Sequence, residues 1–217
     1  MNITGNEFYD AIWSTPTMSY NATAISIMNP LPNFFTTQAL IDDNDIGFAT
    51  ENTHHSRIGV SIFQAGNVRT TGNRLNIHYD RDLYSSFCGI QLVNSQDCRV
   101  YDNLIVNSNF DSDAEHLVTG VRVSESITPR VNCNDIQSMG YGMHFTGDNG
   151  AVTLASNTFT SYKKGISLGW DNSTPAFIGQ IQGSRILHLM VPDIKMNGML
   201  PRWIEWKGLR VFYLMVS

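Results

Sequence analysis

The stretch GIQLVNSQDCRVYDNLIVN, residues 89 to 107, recurs on both sides of itself with different letters and the same chemistry. Laid without gaps over GVSIFQAGNVRTTGNRLNI (59 to 77) and GVRVSESITPRVNCNDIQS (120 to 138), it shares a Gly at the first place and apolar residues at the second and fourth. Asn falls at the fifteenth place in all three, with an apolar residue two further on. Shorter copies open at Gly142, closing at Asn157, and at Gly165. Upstream, AISIMN at Ala24 supplies the same opening, and Asn44 with Ile46, or Asn6 with Phe8, the same close. The unit therefore appears about six times, and a period of this length means stacked units rather than a globular mosaic.

Apolar and polar residues alternate inside each unit, as in Ile90, Gln91, Leu92 or Val121, Arg122, Val123. That is the period of a strand with one buried face. Gly before the first strand is expected to permit a corner with positive φ, and Asn to take the left-handed conformation at the second corner. Asn73, Asn103, Asn134 and Asn157 are expected to stack as a ladder of amides along one axis. Ile62, Leu92, Val123, Phe145 and Leu168 should form one inward stack. Such units make an all-β chain, one parallel β-helix coil each, with neighbours about 4.8 Å apart.

The residues GIQL, CRVYDNLI, GVRV and VNCNDI resemble those of the right-handed parallel β-helix repeat family, a pectate-lyase-like superfold, over roughly residues 1 to 170. The resemblance implies a right-handed solenoid of about six coils over residues 1–180, followed by an atypical, irregular tail at 181–217. It also implies an extracellular or cell-surface setting. The family includes polysaccharide lyases, glycoside hydrolases, tailspikes and non-enzymatic surface proteins, so fold alone does not choose an activity.

Bulk properties narrow the choice. A net charge of -5 argues against general nucleic-acid binding, which wants a basic face. No stretch of about 18 apolar residues is present, so no membrane-spanning helix is predicted. Three cysteines are too few for a disulfide scaffold, and Cys98, at the inward place taken by Val68 and Pro129, reads as a small core residue. Met1 is followed by NITGNEF, the closing half of a coil, which predicts a longer parent chain. The tail is set apart by composition: residues 181–217 hold one Asn against 19 before them. It reads as a cap or as a frame-changed end that adds little to the coils.

Long excursions follow Asn44, Asn73 and Asn103, at about 47–58, 78–88 and 108–119, with the 7–23 loop joining them at one end. In repeat proteins, insertions on one face often mark the binding face. The expected ligand is a polysaccharide or oligosaccharide, held by Arg57, Tyr79, Asp80, Asp82, Tyr84, Asp111, Asp113 and His116. Aromatic rings there can stack on sugars and carboxylates can bond hydroxyls. The loop aromatics Trp13, Tyr9, Tyr79, Tyr84 and Phe110 could equally pin the loops to the wall.

No cofactor or metal is predicted. His54, His55, His78 and His116 lack the spacing of a ligand motif, and Asp111, Asp113 and Glu115 lack that of a calcium loop. The galacturonase motifs are absent as well. The primary reading is therefore a carbohydrate-binding or structural repeat protein, with a fragment of a lyase or hydrolase acting on acidic polysaccharide as the alternative. Two wall features stand beside it. His144 is expected to face outward in line with Gln91 and Arg122. Arg69, Arg99 and Arg130 form an outward stripe, read either as a track for an anionic polymer or as solubilising charges paired to Asp97, Asp102 or Asp135.

Overall fold

The computed structural model describes residues 1–9, 22–29, 38–49, 56–78, 86–108, 117–169, 176–178, 204–206 and 209–211. Each repeat folds as three short strands, and six repeats follow one another. The first coil comprises β1 (Asn2–Thr4), β2 (Glu7–Tyr9) and β3 (Ala22–Met28), and the second β4 (Ala39–Asp42), β5 (Asp45–Ala49) and β6 (Ser56–Phe63). The third and fourth are β7 (Val68–Thr71), β8 (Arg74–His78), β9 (Ser86–Val93) and β10 (Arg99–Tyr101), β11 (Leu104–Asn107), β12 (Val118–Ser124). The fifth and sixth are β13 (Arg130–Asn132), β14 (Asp135–Gln137), β15 (Tyr141–Asn149) and β16 (Thr153–Ala155), β17 (Thr158–Thr160), β18 (Lys164–Leu168). Beyond them lie β19 (Ala176–Ile178), parallel to the end of β15, and an antiparallel pair, β20 (Ile204–Trp206) and β21 (Leu209–Val211).

Every third strand pairs in parallel with its counterpart one coil away. The first sheet runs β1-β4-β7-β10-β13-β16, the second joins β2 through β17, and the third joins β3 through β18. The chain is thus a right-handed parallel β-helix of about six coils, with no α-helix among the described residues. The rest of the 181–217 tail lies outside the described residues.

One apolar stack per sheet fills the interior. Ile27, Ile62, Leu92, Val123, Phe145 and Leu168 stand in register on the third sheet, as the repeat alignment predicts. Phe8, Ile46, Leu75, Ile105, Ile136 and Phe159 do so on the second. The first sheet supplies Ile41, Val100 and Val131, with Thr70 between them. Complete burial of one such Leu or Ile stabilises by about 1.5–3 kcal/mol, so the core grows with every coil added.

The Asn ladder forms between the first and second sheets. Asn103 shows its pattern: its Nδ2 donates to Asn134 Oδ1 (2.9 Å), Thr70 O (3.0 Å) and Tyr101 O (3.0 Å), and its backbone N–H donates to the same Asn134 Oδ1 (3.2 Å). Asn44, Asn73, Asn103 and Asn134 are all buried, so these bonds satisfy polar groups that would otherwise be costly.

Both conformational expectations for the corners need correction. The left-handed residue is the one before each ladder Asn: Gly5, Asp43, Gly72, Asp102, Cys133 and Ser156 have φ between 53° and 66°. The Asn itself turns its side chain inward to bond its neighbours. The repeat-opening glycines do not have positive φ either. They lie within strands, where a Cβ on Gly120 would come 2.6 Å from Gly142 O and 2.6 Å from Ile136 Cγ2. Gly89 meets Gly120 O and Ile105 in the same way, so this place demands the absence of a side chain rather than an unusual backbone.

Candidate functional site

The connections from the second sheet to the third differ in length from coil to coil. After β14 and β17 they are residues 138–140 and 161–163. After β2, β5, β8 and β11 the chain makes its long excursions, and all four leave at this corner. Their return points are in register: Arg57 pairs with Ala22 and Phe87, Phe87 with Val118, and Ser56 with Ser86, whose hydroxyls are 3.0 Å apart. Parallel stacking therefore brings the bases of the excursions side by side.

Of the residues expected to bind ligand, Arg57 is described: it is half-buried at the start of β6. Tyr79, Asp80, Asp82, Tyr84, Asp111, Asp113 and His116 lie outside the described residues, as do Trp13, His54, His55, Phe110 and Glu115. Tyr9 is exposed on β2, and its hydroxyl donates to Asp45 Oδ2 at 3.4 Å. The negative charge of Asp45 pushes the Tyr9 phenol above its ordinary range.

Beside the excursion bases runs the outer face of the third sheet. Ser26, Ser61, Gln91, Arg122, His144 and Ser167 stand in one file across six strands. The file presents hydroxyl, amide and guanidinium groups on a rigid wall. His144 departs from the expected wall residue, because it is fully buried. Its Nε2 lies 3.0 Å from Gly169 O, and the Tyr141 ring meets it edge-on with centroids 5.0 Å apart. The turn after β18 carries Gly169 over the imidazole, while the Lys164 ammonium sits 5.1 Å from the Tyr141 ring centroid. An imidazole enclosed in this way is a packing and hydrogen-bonding group, without the solvent access a general base for a polymeric substrate requires.

The arginine stripe lies on the first sheet. Arg69, Arg99 and Arg130 are in strict register and exposed, followed by Thr153 and preceded by Leu40 and Asn2. Pairing with Asp97, Asp102 or Asp135 does not occur among the described residues. Asp97 accepts bonds from the Thr128 hydroxyl and from Gln96 Nε2, and Asp135 accepts one from Gln137 Nε2 at 2.8 Å. Both carboxylates are held by neutral partners on their own corners.

Other chemistry is sparse among the described residues. No group of three or more His, Cys, Asp or Glu is placed to hold a metal ion, and no helix is long and apolar enough to cross a membrane. The cysteines are free thiols. Burial pushes the Cys98 thiol up to about 11, as expected of a core residue. A second polar ladder, unforeseen from the repeats, lines the corner between the third and first sheets: Ser95 N–H donates to Ser126 Oγ (3.2 Å), and Ser126 N–H to Asn149 Oδ1 (3.1 Å). No family model, curated protein or solved structure matches the chain, so the fold stands on register and geometry.

Proposed function

We propose that this chain is a carbohydrate-binding β-helix segment of an extracellular or cell-surface protein, similar in design to the pectate-lyase-like repeat family. One observation carries the reading: four long excursions leave at a single corner, beside a polar file of Ser26, Ser61, Gln91 and Arg122 on an otherwise regular wall. A sugar chain laid there meets hydroxyl and amide groups from the wall and the aromatic and acidic residues of the excursions. Tyr79 and Tyr84 supply stacking in this reading, and Asp80, Asp82, Asp111, Asp113, His116 and Arg57 supply hydrogen bonds.

Each such bond contributes about 1 kcal/mol net. Useful affinity then requires several sugar units bound at once, so binding strengthens with oligosaccharide length. Titration of graded neutral and uronic oligosaccharides into the protein and into a Tyr79→Ala, Tyr84→Ala variant tests this. The variant should bind at least about tenfold more weakly, the loss of roughly 1.4 kcal/mol; equal affinities would remove the excursions from the site. Following the same mixtures for unsaturated or reducing-end products separates binding from the alternative, a polysaccharide lyase or glycoside hydrolase. Product formation would replace the binding reading.

A further inference from the structure

We propose that the outer face of the first sheet is a second, independent binding surface, an anion track on which Arg69, Arg99 and Arg130 engage carboxylate or sulfate groups of an extended acidic glycan lying along the helix axis. It does not rest on the excursion-side reading, since it uses the opposite side of the Asn corner and none of the same residues.

The register is the first argument. Arg69 pairs with Arg99 and Arg99 with Arg130 on adjacent parallel strands, which sets their bases about 4.8 Å apart. Like charges stacked on neighbouring strands destabilise a sheet. The fold does not require charge at this place, because Asn2, Leu40 and Thr153 occupy it in the other coils. Three consecutive cations, with no salt bridge or hydrogen bond to them among the described residues, are a cost that an external anion removes.

Rigidity is the second argument. Val68, Thr70, Val100 and Val131, which alternate with the arginines, are completely buried, so the backbone that carries the three arginines is fixed while their exposed side chains adjust. Planar guanidinium forks match carboxylate and sulfate oxygens two at a time. Their repeat along the axis is comparable with the length of one pyranose unit in an extended chain.

The flanks supply the third argument. Two residues further along each strand, Thr71 and Tyr101 place a hydroxyl and a phenol in a parallel file that Asn132 continues with its amide oxygen buried. On the other side a depression of about 400 Å³ is lined by Leu40, Asn67, Arg69, Asp97 and Arg99. Asp97 is the acidic group there, and Thr128 and Gln96 already bond its carboxylate. A ligand in the track thus has cations beneath its charged groups and sugar-bonding groups on both sides.

The experiment uses sulfated oligosaccharides and oligogalacturonates of graded length, with neutral oligosaccharides and single-stranded DNA as controls, titrated at low and moderate salt. Binding of one acidic glycan class or both supports the track, and the class that binds names the anion. Arg99→Gln should weaken it about threefold and the triple Arg69→Gln, Arg99→Gln, Arg130→Gln variant on the order of 30-fold. Thermal unfolding should be unchanged or higher in the triple variant, because the substituted positions are exposed and repulsion is relieved. Made in the Tyr79→Ala, Tyr84→Ala background, the triple arginine substitution should weaken acidic-glycan binding by the same factor as in the parent, so that loss at the excursions and loss at the track are read separately. Undiminished binding of the acidic glycans by the triple variant, or an equal arginine-dependent loss for neutral glycans or DNA, would overturn the proposal.

Discussion

Two corners of the same coil are built on opposite terms. Between the first and second sheets the chain turns on one left-handed residue followed by a ladder Asn in all six coils, and that Asn is buried in the four inner ones. Between the second and third sheets it crosses in three residues after β14 and β17, and in long excursions after β2, β5, β8 and β11. Yet the strands on both sides of this variable corner stay in register through every coil. The difference teaches where registration is set. Buried amides bonded along the axis hold each coil against the next, and an excursion costs only loop-closure entropy, which grows slowly with length.

The largest test of this division concerns the strands that receive the excursions. Gly120→Val places carbon 2.6 Å from a backbone oxygen of the next coil and from Ile136, and neither neighbour can swing away. A loss of about 4 kcal/mol is expected, read as a fall in denaturant midpoint. A variant as stable as the parent would show that the coils can spread.

Asn103→Ala should have the next effect. It removes a buried acceptor from Asn73 and donors from Thr70 O and Tyr101 O, a loss of about 3 kcal/mol. Reaction of the buried Cys98 thiol with a disulfide reagent should then accelerate, whereas exposed Cys133 reacts at the parent rate. An Asn103→Ala protein with unchanged Cys98 protection would deny the ladder its role.

Replacing residues 109–116 by a link as short as 138–140 should change stability least, by under about 1 kcal/mol. Collapse of the strand signal in circular dichroism would mean that the excursions, and not the ladder alone, set the register.

The repeat made much of this readable in letters. Ile62, Leu92, Val123 and Phe145 could be aligned because every coil fills this inward place of the third sheet with an apolar side chain, and the ladder because only Asn makes its set of bonds. Other features were illegible for definite reasons. The left-handed place is filled by Gly, Asp, Cys and Ser in different coils, so it has no single letter. The second ladder mixes Ser95, Ser126 and Asn149, with Ala65 at the matching place one coil earlier. Burial of His144 depends on where Gly169 returns, a tertiary contact that alternation along β15 does not encode. The residues expected to bind sugar lie mainly in excursions without a repeat, where no pattern constrains them.

The amide ladder also has a direction. From Asn6 through Asn44, Asn73, Asn103 and Asn134 to Asn157, every Nδ2 donates toward the C-terminal neighbour. The amides are dipoles aligned head to tail, each polarising the next. At one end Asn6 Oδ1 takes no bond among the described residues, while at the other Asn157 Nδ2 donates back to Val131 O (2.7 Å) and to no further ladder Asn among them. Another β-helical coil can therefore continue this array only with the same polarity, donor to acceptor, and a two-fold pairing of the Asn6 ends would set acceptor against acceptor.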